Sequence, residues 1–153
     1  MRINSNYPSN PIEWNSPIQN NWKTHTFSIN EITVQLDLPG EIQTASKDQL
    51  FFASGSEGAV QYSFCAGNIF KLDEAVTLFQ VLAGLNGDSL TKIERLIEEG
   101  RSVVNVEGQN DEEMFKATFI ETGGNVYYLE TRTSEGPKTI GGHSDFINSF
   151  KIV

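Results

Sequence analysis

The chain contains 153 residues, which corresponds to one domain at about 150 residues per domain. Hydrophobic residues make up 38% of it, and 11 basic against 20 acidic residues give a net charge of -9. This composition is that of a globular protein and excludes a disordered chain, a fibrous repeat and a disulfide scaffold. An acidic chain without basic runs repels a phosphate backbone, so we expect no binding to nucleic acid.

Residues 1–22 differ in composition from the rest of the chain and predict an extended N-terminal arm. They are rich in Asn, Ser and Pro, a composition that buries little apolar surface, yet they carry both tryptophans, Trp14 and Trp22. The indoles either dock on the chain's own domain, which we favour, or contact a partner. We therefore name both as possible partner contacts, and we expect residues 23–153 to form a single domain.

Alternating apolar residues predict two β-hairpins in the first half of that domain. The first covers residues 24–36 and turns at Asn30-Glu31, and the second covers residues 50–64 and turns at residues 54–58.

Two helices are predicted to follow. The first has Asp73 as its N-cap and an apolar face at helical spacing, made of Ala75, Leu78, Phe79, Leu82 and Leu85. The second begins at Asp88, ends at Gly100 and has its own apolar face, made of Leu90, Ile93, Leu96 and Ile97.

The last third is predicted to be β again, followed by a helix. A short strand at residues 102–106 precedes a hairpin over residues 114–131 that turns at residues 123–125. A final helix begins at His143 or Ser144. The side chains that we expect to be mostly buried are Phe27, Val34, Phe64, Phe79, Leu82, Phe119, Phe146 and Phe150.

The order of strands, helices, strands and helix, joined by hairpins, predicts an α+β fold with a largely antiparallel sheet. Its end, an aromatic strand at residues 125–129 and an F-x-x-S-F helix at residues 145–152, resembles the PsbP-like family. That family shares its fold with the Mog-type Ran-binding protein and with small bacterial proteins of unknown function. The resemblance covers about residues 24–153 and implies a sheet flanked by helices (an α/β/α sandwich) in a binding or assembly subunit without enzymatic activity.

No catalytic, cofactor-binding or metal site is predicted. Cys65 is the only cysteine and lies in an apolar run, so we interpret it as a core residue. The two histidines, His25 and His143, are far apart in sequence, and the acidic residues 111–113 are interpreted as a solvated turn.

The leading functional hypothesis is a non-catalytic protein-interaction or assembly domain, with a protein as partner and a monomeric or weakly dimeric state. The alternative is a small-molecule or lipid binder with a pocket between helix and sheet. A hydrolase assembled from dispersed Ser, His and acidic residues is the third hypothesis. The N-terminus has no apolar signal segment and no run is long enough to span a membrane, so we expect a cytoplasmic protein.

Overall fold

The computed structural model describes residues 21–136 and 142–153, and β-strands dominate this part of the chain. The strands are β1 (Trp22–Ile29), β2 (Ile32–Pro39), β3 (Gln43–Lys47), β4 (Leu50–Glu57), β5 (Val60–Gly67), β6 (Ser89–Glu98), β7 (Arg101–Gln109), β8 (Met114–Thr122), β9 (Asn125–Thr133) and β10 (Lys151–Ile152). The helices are α1 (Leu72–Leu85) and α2 (His143–Ser149). The α+β class is confirmed.

The strands form two antiparallel sheets. The large sheet has the order β3-β4-β5-β9-β8-β7-β6, and the small sheet has the order β1-β2-β10. The predicted hairpins β1–β2 and β8–β9 are present. Their two-residue turns need positive φ angles, which Asn30 and Glu31 adopt at 50° and 69° and Gly123 and Gly124 at 59° and 84°.

The small sheet and α2 cover one face of the large sheet. Because side chains alternate along a strand, β5 directs Tyr62 and Phe64 to this face, where Phe64 is 1% exposed. Phe146 of α2 meets the Tyr62 ring at 5.2 Å between centroids, and Phe150 meets Tyr127 at 4.9 Å. These aromatic contacts anchor the C-terminal segment.

Helix α1 covers part of the other face. It buries Leu72 and Val76 against strands β7, β8 and β9. Its first turn has a carboxylate partner from another element, since the backbone N–H of Leu72 donates to Glu121 Oε2 at 3.0 Å. The sequence predicted a layer of helices on each face of the sheet. Helix α1 forms such a layer on one face, whereas the small sheet and α2 together cover the other.

The second predicted helix is wrong, because residues 89–98 form the edge strand β6. Leu90, Ile93 and Ile97 match helical spacing, but a β-bulge between Leu90 and Lys92 shifts the strand alternation and hides it. The pair Glu99-Gly100 forms a hairpin turn from β6 into β7, with φ angles of 52° and 78°.

The turn predicted at residues 54–58 is also misplaced, since β4 continues to Glu57 and the chain turns at Gly58-Ala59. Gly55 therefore lies within β4 and not in a turn, and glycine is needed there because of a close approach between the two sheets. A Cβ added there would clash with the carbonyl oxygen of Pro39, so glycine allows the two sheets to approach closely.

Four smaller expectations also need correction. Helix α1 begins at Leu72 with Lys71 as its N-cap residue, and Asp73 lies inside its first turn. Strand β7 is nine residues long, and the strands β3 and β10 were not predicted. Of the eight predicted core residues, Leu82 is 50% exposed, because it lies at the open margin of the contact between α1 and the large sheet.

Candidate functional site

An apolar cleft of about 290 Å³ lies between α1 and the large sheet, and we call it the α1 cleft. Its walls come from the end of the β4–β5 hairpin, the loop before α1, one side of α1, and strands β8 and β9. Its lining residues are Leu50, Cys65, Ala66, Gly67, Phe70, Ala75, Leu78, Phe79, Leu82, Phe119, Val126 and Tyr128.

The cleft exists because α1 is apolar over a wider arc than the sheet covers. Leu78 is 41% exposed, Val81 56%, Leu82 50% and Leu85 78%. Leu78 and Leu82 line the cleft, and Val81 and Leu85 extend the apolar surface along the outside of the helix. A monomer seldom exposes a contiguous apolar patch of this kind without a function for it.

Packed aromatic rings support the floor of the α1 cleft. The Phe79 ring lies 5.5 Å from that of Phe119 and 5.6 Å from that of Tyr128. The Tyr128 hydroxyl donates to a carboxylate oxygen of Glu130, and burial raises the pKa of Tyr128 well above its usual value. The floor therefore consists of uncharged aromatic groups, which suits an apolar ligand.

Cys65 lies in the lining of this cleft. It is only partly buried, and burial raises the pKa of its thiol to about 11. The interpretation as an apolar core residue thus misses its position at the cleft, although the protonated thiol does behave as an apolar group.

His143 lies on the opposite face of the large sheet, at the bottom of a polar groove of about 770 Å³. Thr118 Oγ1 is 3.1 Å from its Nε2 and Thr131 Oγ1 is 2.8 Å from its Nδ1. Burial, with a smaller contribution from the charge of Lys116, lowers the pKa of His143 to about 4. No local sequence pattern links His143 to these partners, because Thr118 of β8 and Thr131 of β9 lie 25 and 12 residues away along the chain.

Arg132 holds three carboxylates together beside the far end of α1. Its guanidinium reaches Glu130 at 3.1 Å, Glu113 at 3.3 Å and Asp88 at 3.4 Å, and it lies 4.5 Å from the centre of the Phe115 ring. The Asp88 side chain is only 2% exposed. This cluster is a structural cross-link between β9 and the residues that flank β6 and β8.

The two tryptophans named as possible partner contacts differ in what the structure describes. Trp22 begins β1, its ring meets that of Tyr62 at 4.7 Å, and its Nε1–H donates to Glu57 Oε1 at 3.3 Å. Its indole therefore lies against its own domain. Trp14, with most of the arm, lies outside the described residues.

These positions limit the chemistry of the described residues. The thiol of Cys65 and the imidazole of His143 lie on opposite faces of the large sheet, so they form no nucleophile–base pair. In residues 21–136 and 142–153, no three His, Cys, Asp or Glu side chains are grouped to hold a metal ion. Acidic residues 111–113 form a turn in which Asn110 Oδ1 accepts from the N–H groups of Glu112 and Glu113.

No helix in the described part of the chain is both long and apolar enough to cross a membrane. Helix α1 has 14 residues and buries only one side.

Comparison with solved structures shows a PsbP-like fold. The solution structure of cyanobacterial PsbP (CyanoP) from Synechocystis sp. PCC 6803 is similar over 85% of this chain and 92% of that chain, with a TM-score of 0.62 and 13% sequence identity. A Pseudomonas aeruginosa protein of unknown function, described as a putative regulator, aligns over 82% of this chain and 91% of its own, with a TM-score of 0.45 and 16% identity. No family model matches the chain, and no curated protein matches it. The resemblance to PsbP seen in the sequence is thereby confirmed for the fold.

Proposed function

Proceeding from a PsbP-like fold with an open apolar cleft, we propose that the protein is a non-catalytic interaction or assembly subunit that binds an apolar segment of a protein partner at α1. The observation that carries this proposal is the exposure of Leu78 and Leu82 at the α1 cleft, next to Val81 and Leu85. Covering these side chains removes apolar surface from water, at about 25 cal/mol for each Å².

The charges around α1 indicate what flanks such a segment. Glu74 and Asp73, the latter paired with Arg95, are exposed in the first turn of α1 and border a shallow groove that also contains Leu78 and Val81. The whole chain carries a net charge of -9. An apolar segment next to Lys or Arg residues therefore complements this surface in both hydrophobicity and charge.

The arrangement of reactive groups favours binding over catalysis. Cys65 is held as a thiol and His143 as a neutral imidazole, and the sheet separates them. A hydrolase would need a nucleophile and a base within hydrogen-bond reach of each other. The assignment as a non-enzyme and the cytoplasmic location are part of this proposal.

A small apolar molecule or a lipid chain in the α1 cleft is the second candidate. The apolar lining favours it, and the volume of about 290 Å³ is close to the lower end of the ligand-cavity range, roughly 300–1,000 Å³. This ligand would occupy the cleft, whereas a protein segment would also cover Val81 and Leu85 on the outside of the helix.

The experiment is photo-crosslinking from α1 in the source cells, followed by binding measurements with purified components. A photoreactive amino acid at position 81 is expected to join one protein through an apolar segment that has basic neighbours. A photoreactive residue at Thr24, which is exposed on the small sheet, is the control position.

The crosslinked segment is then synthesised as a peptide and titrated against variants of α1. Leu82→Glu is expected to weaken its binding at least about tenfold, because a carboxylate would be buried under the apolar segment. The matched control Gln80→Glu adds the same charge at an exposed polar position of the same helix and is expected to keep binding. Crosslinks to lipid alone, or equal losses in both variants, would overturn the proposal.

A further inference from the structure

Strand β6 forms one edge of the large sheet in the described part of the chain. It pairs with β7 on one side, and on the other side no strand of residues 21–136 and 142–153 pairs with it. With 10 residues it is the longest strand in this part of the chain. The free N–H and C=O groups of such an edge are a template for pairing with another strand.

This edge exposes large apolar side chains among its charged residues. Ile93 is 43% exposed and Ile97 is 77% exposed. Arg95, which lies between them, is turned to α1 by an ion pair with Asp73 at 2.8 Å. The β-bulge lies between Leu90 and Lys92, near one end, and leaves the rest of the strand regular.

The opposite edge of the same sheet is protected by its length and composition. Strand β3 has five residues, Gln43–Lys47, and its only apolar side chain is that of Ala45. The two edges therefore differ, and β6 is the one suited to pairing.

We propose that β6 pairs antiparallel with β6 of a second copy of this chain and so forms a reversible homodimer with one continuous sheet. A second copy is the expected partner because the charges of one β6 are complementary to those of another when the two-fold axis passes through Ile93. In that register Lys92 lies opposite the partner's Glu94, and Ile93 lies opposite the partner's Ile93. The axis repeats each charge pair, so the contact contains two of them.

No other register of the strand centre pairs charges in this way. An axis through Lys92, Glu94 or Arg95 sets that residue opposite its own copy, with two like charges adjacent. An axis through Leu96 sets Glu94 opposite the partner's Glu98. Like charges directly opposite each other destabilise a strand pair, so the register centred on Ile93 is favoured.

The dimer does not depend on the proposed function of α1. A two-fold axis perpendicular to the sheet keeps both copies of α1 on the same face of the continuous sheet, and the edge of β6 does not line the α1 cleft. Variants of β6 and variants of α1 therefore test the two proposals separately.

The test is a charge-reversal series measured by sedimentation velocity, at protein concentrations up to about 1 mM. The wild-type protein is expected to dimerise in a concentration-dependent manner. Lys92→Glu and Glu94→Lys are each expected to weaken the dimer at least about tenfold, because each places two like-charge pairs across the axis. The double variant is expected to dimerise again, and so is an equal mixture of the two single variants, in which every pair is opposite in sign.

Matched controls make the same changes in net charge elsewhere on the surface. Lys23→Glu and Glu41→Lys alter exposed residues outside β6 and are expected to dimerise like the wild type. Hydrogen exchange provides a second measurement, since the outward amides of β6 are expected to become protected as the concentration rises. A wild type that stays monomeric, a dimer insensitive to both single variants, or a double variant that is not restored would overturn the proposal.

Discussion

The hydroxyl of Thr118 determines the tautomer of His143. Thr118 Oγ1 donates its one proton to Asn105 Oδ1 at 2.7 Å, so toward His143 Nε2, 3.1 Å away, it can only accept. The ring thus carries its proton on Nε2, and Nδ1 accepts from the Thr131 hydroxyl at 2.8 Å. A second proton would disturb this buried network.

We predict that the free energy of unfolding decreases as the pH falls from about 6.5 to about 4. The folded state lowers the pKa of His143 from 6.5 to about 4, so between these values the unfolded chain binds a proton that the folded chain does not. The stability associated with neutral His143 is fully present above the unfolded pKa of 6.5. Roughly 3 kcal/mol of it is lost by the time the pH has fallen to about 4. Urea denaturation of the wild type and of His143→Gln across this pH range measures the loss. The same pH dependence of the free energy of unfolding in both proteins would contradict the prediction.

Removal of the Arg132 side chain is predicted to destabilise the protein strongly. Arg132→Ala leaves the nearly inaccessible Asp88 and the half-buried Glu130 without their cation, which typically costs about 3–5 kcal/mol. The control is Arg95→Ala, since the pair of Arg95 with Asp73 is largely exposed and is expected to contribute less than about 1 kcal/mol. Similar losses in both variants would show that the Arg132 cluster is not a buried cross-link.

Phe150→Ala is predicted to lower the free energy of unfolding by about 3–5 kcal/mol. The ring is 6% exposed and packs between Phe64 and Tyr127. Phe52, which is 39% exposed, provides the control, because Phe52→Ala removes far less buried surface. Chemical denaturation measures both, and a loss below about 1 kcal/mol for Phe150→Ala would contradict packing of the C-terminal segment.

Trp22 is predicted to emit as a partly buried indole. In the Trp14→Phe variant it is the only tryptophan, and its contacts with Tyr62 and Glu57 are expected to shift its emission to shorter wavelength and to limit quenching by acrylamide. Deletion of residues 1–22 is expected to lower the melting temperature as well. Emission typical of a water-exposed indole, together with an unchanged melting temperature, would show that the arm stands free of the domain.

Cys65 is predicted to react slowly with thiol reagents. A rise in the thiol pKa from 9.0 to about 11 leaves roughly 100-fold less thiolate at a given pH below these values. Colourimetric titration at mildly alkaline pH measures the rate, with the urea-unfolded chain as the fast control. Occupation of the α1 cleft is expected to slow the reaction further, and a rate equal to that of the unfolded chain would contradict the burial of the thiol.

Local signals in the sequence predict the hairpins β1–β2 and β8–β9 and both helices of the described residues, because alternation and turn residues act over a few positions. The same signals fail at β6. Both faces of this edge strand are largely exposed and a β-bulge shifts its alternation, so its Leu and Ile residues match helical spacing instead. Its identity as a strand depends on pairing with β7 across Glu99-Gly100.

The sequence by itself determined the α+β class, the acidic surface and the aromatic C-terminal core, since each follows from composition or from periodicity along the chain. Only the tertiary structure decided which apolar residues stay exposed. Ala75, Phe79 and Leu82 belong to one apolar face in the sequence, yet Ala75 and Phe79 pack against the buried core whereas Leu82 stays 50% exposed and lines an open cleft. The pairing of His143 with Thr118 and Thr131 likewise joins residues from separate elements, and no local pattern encodes contacts of that range.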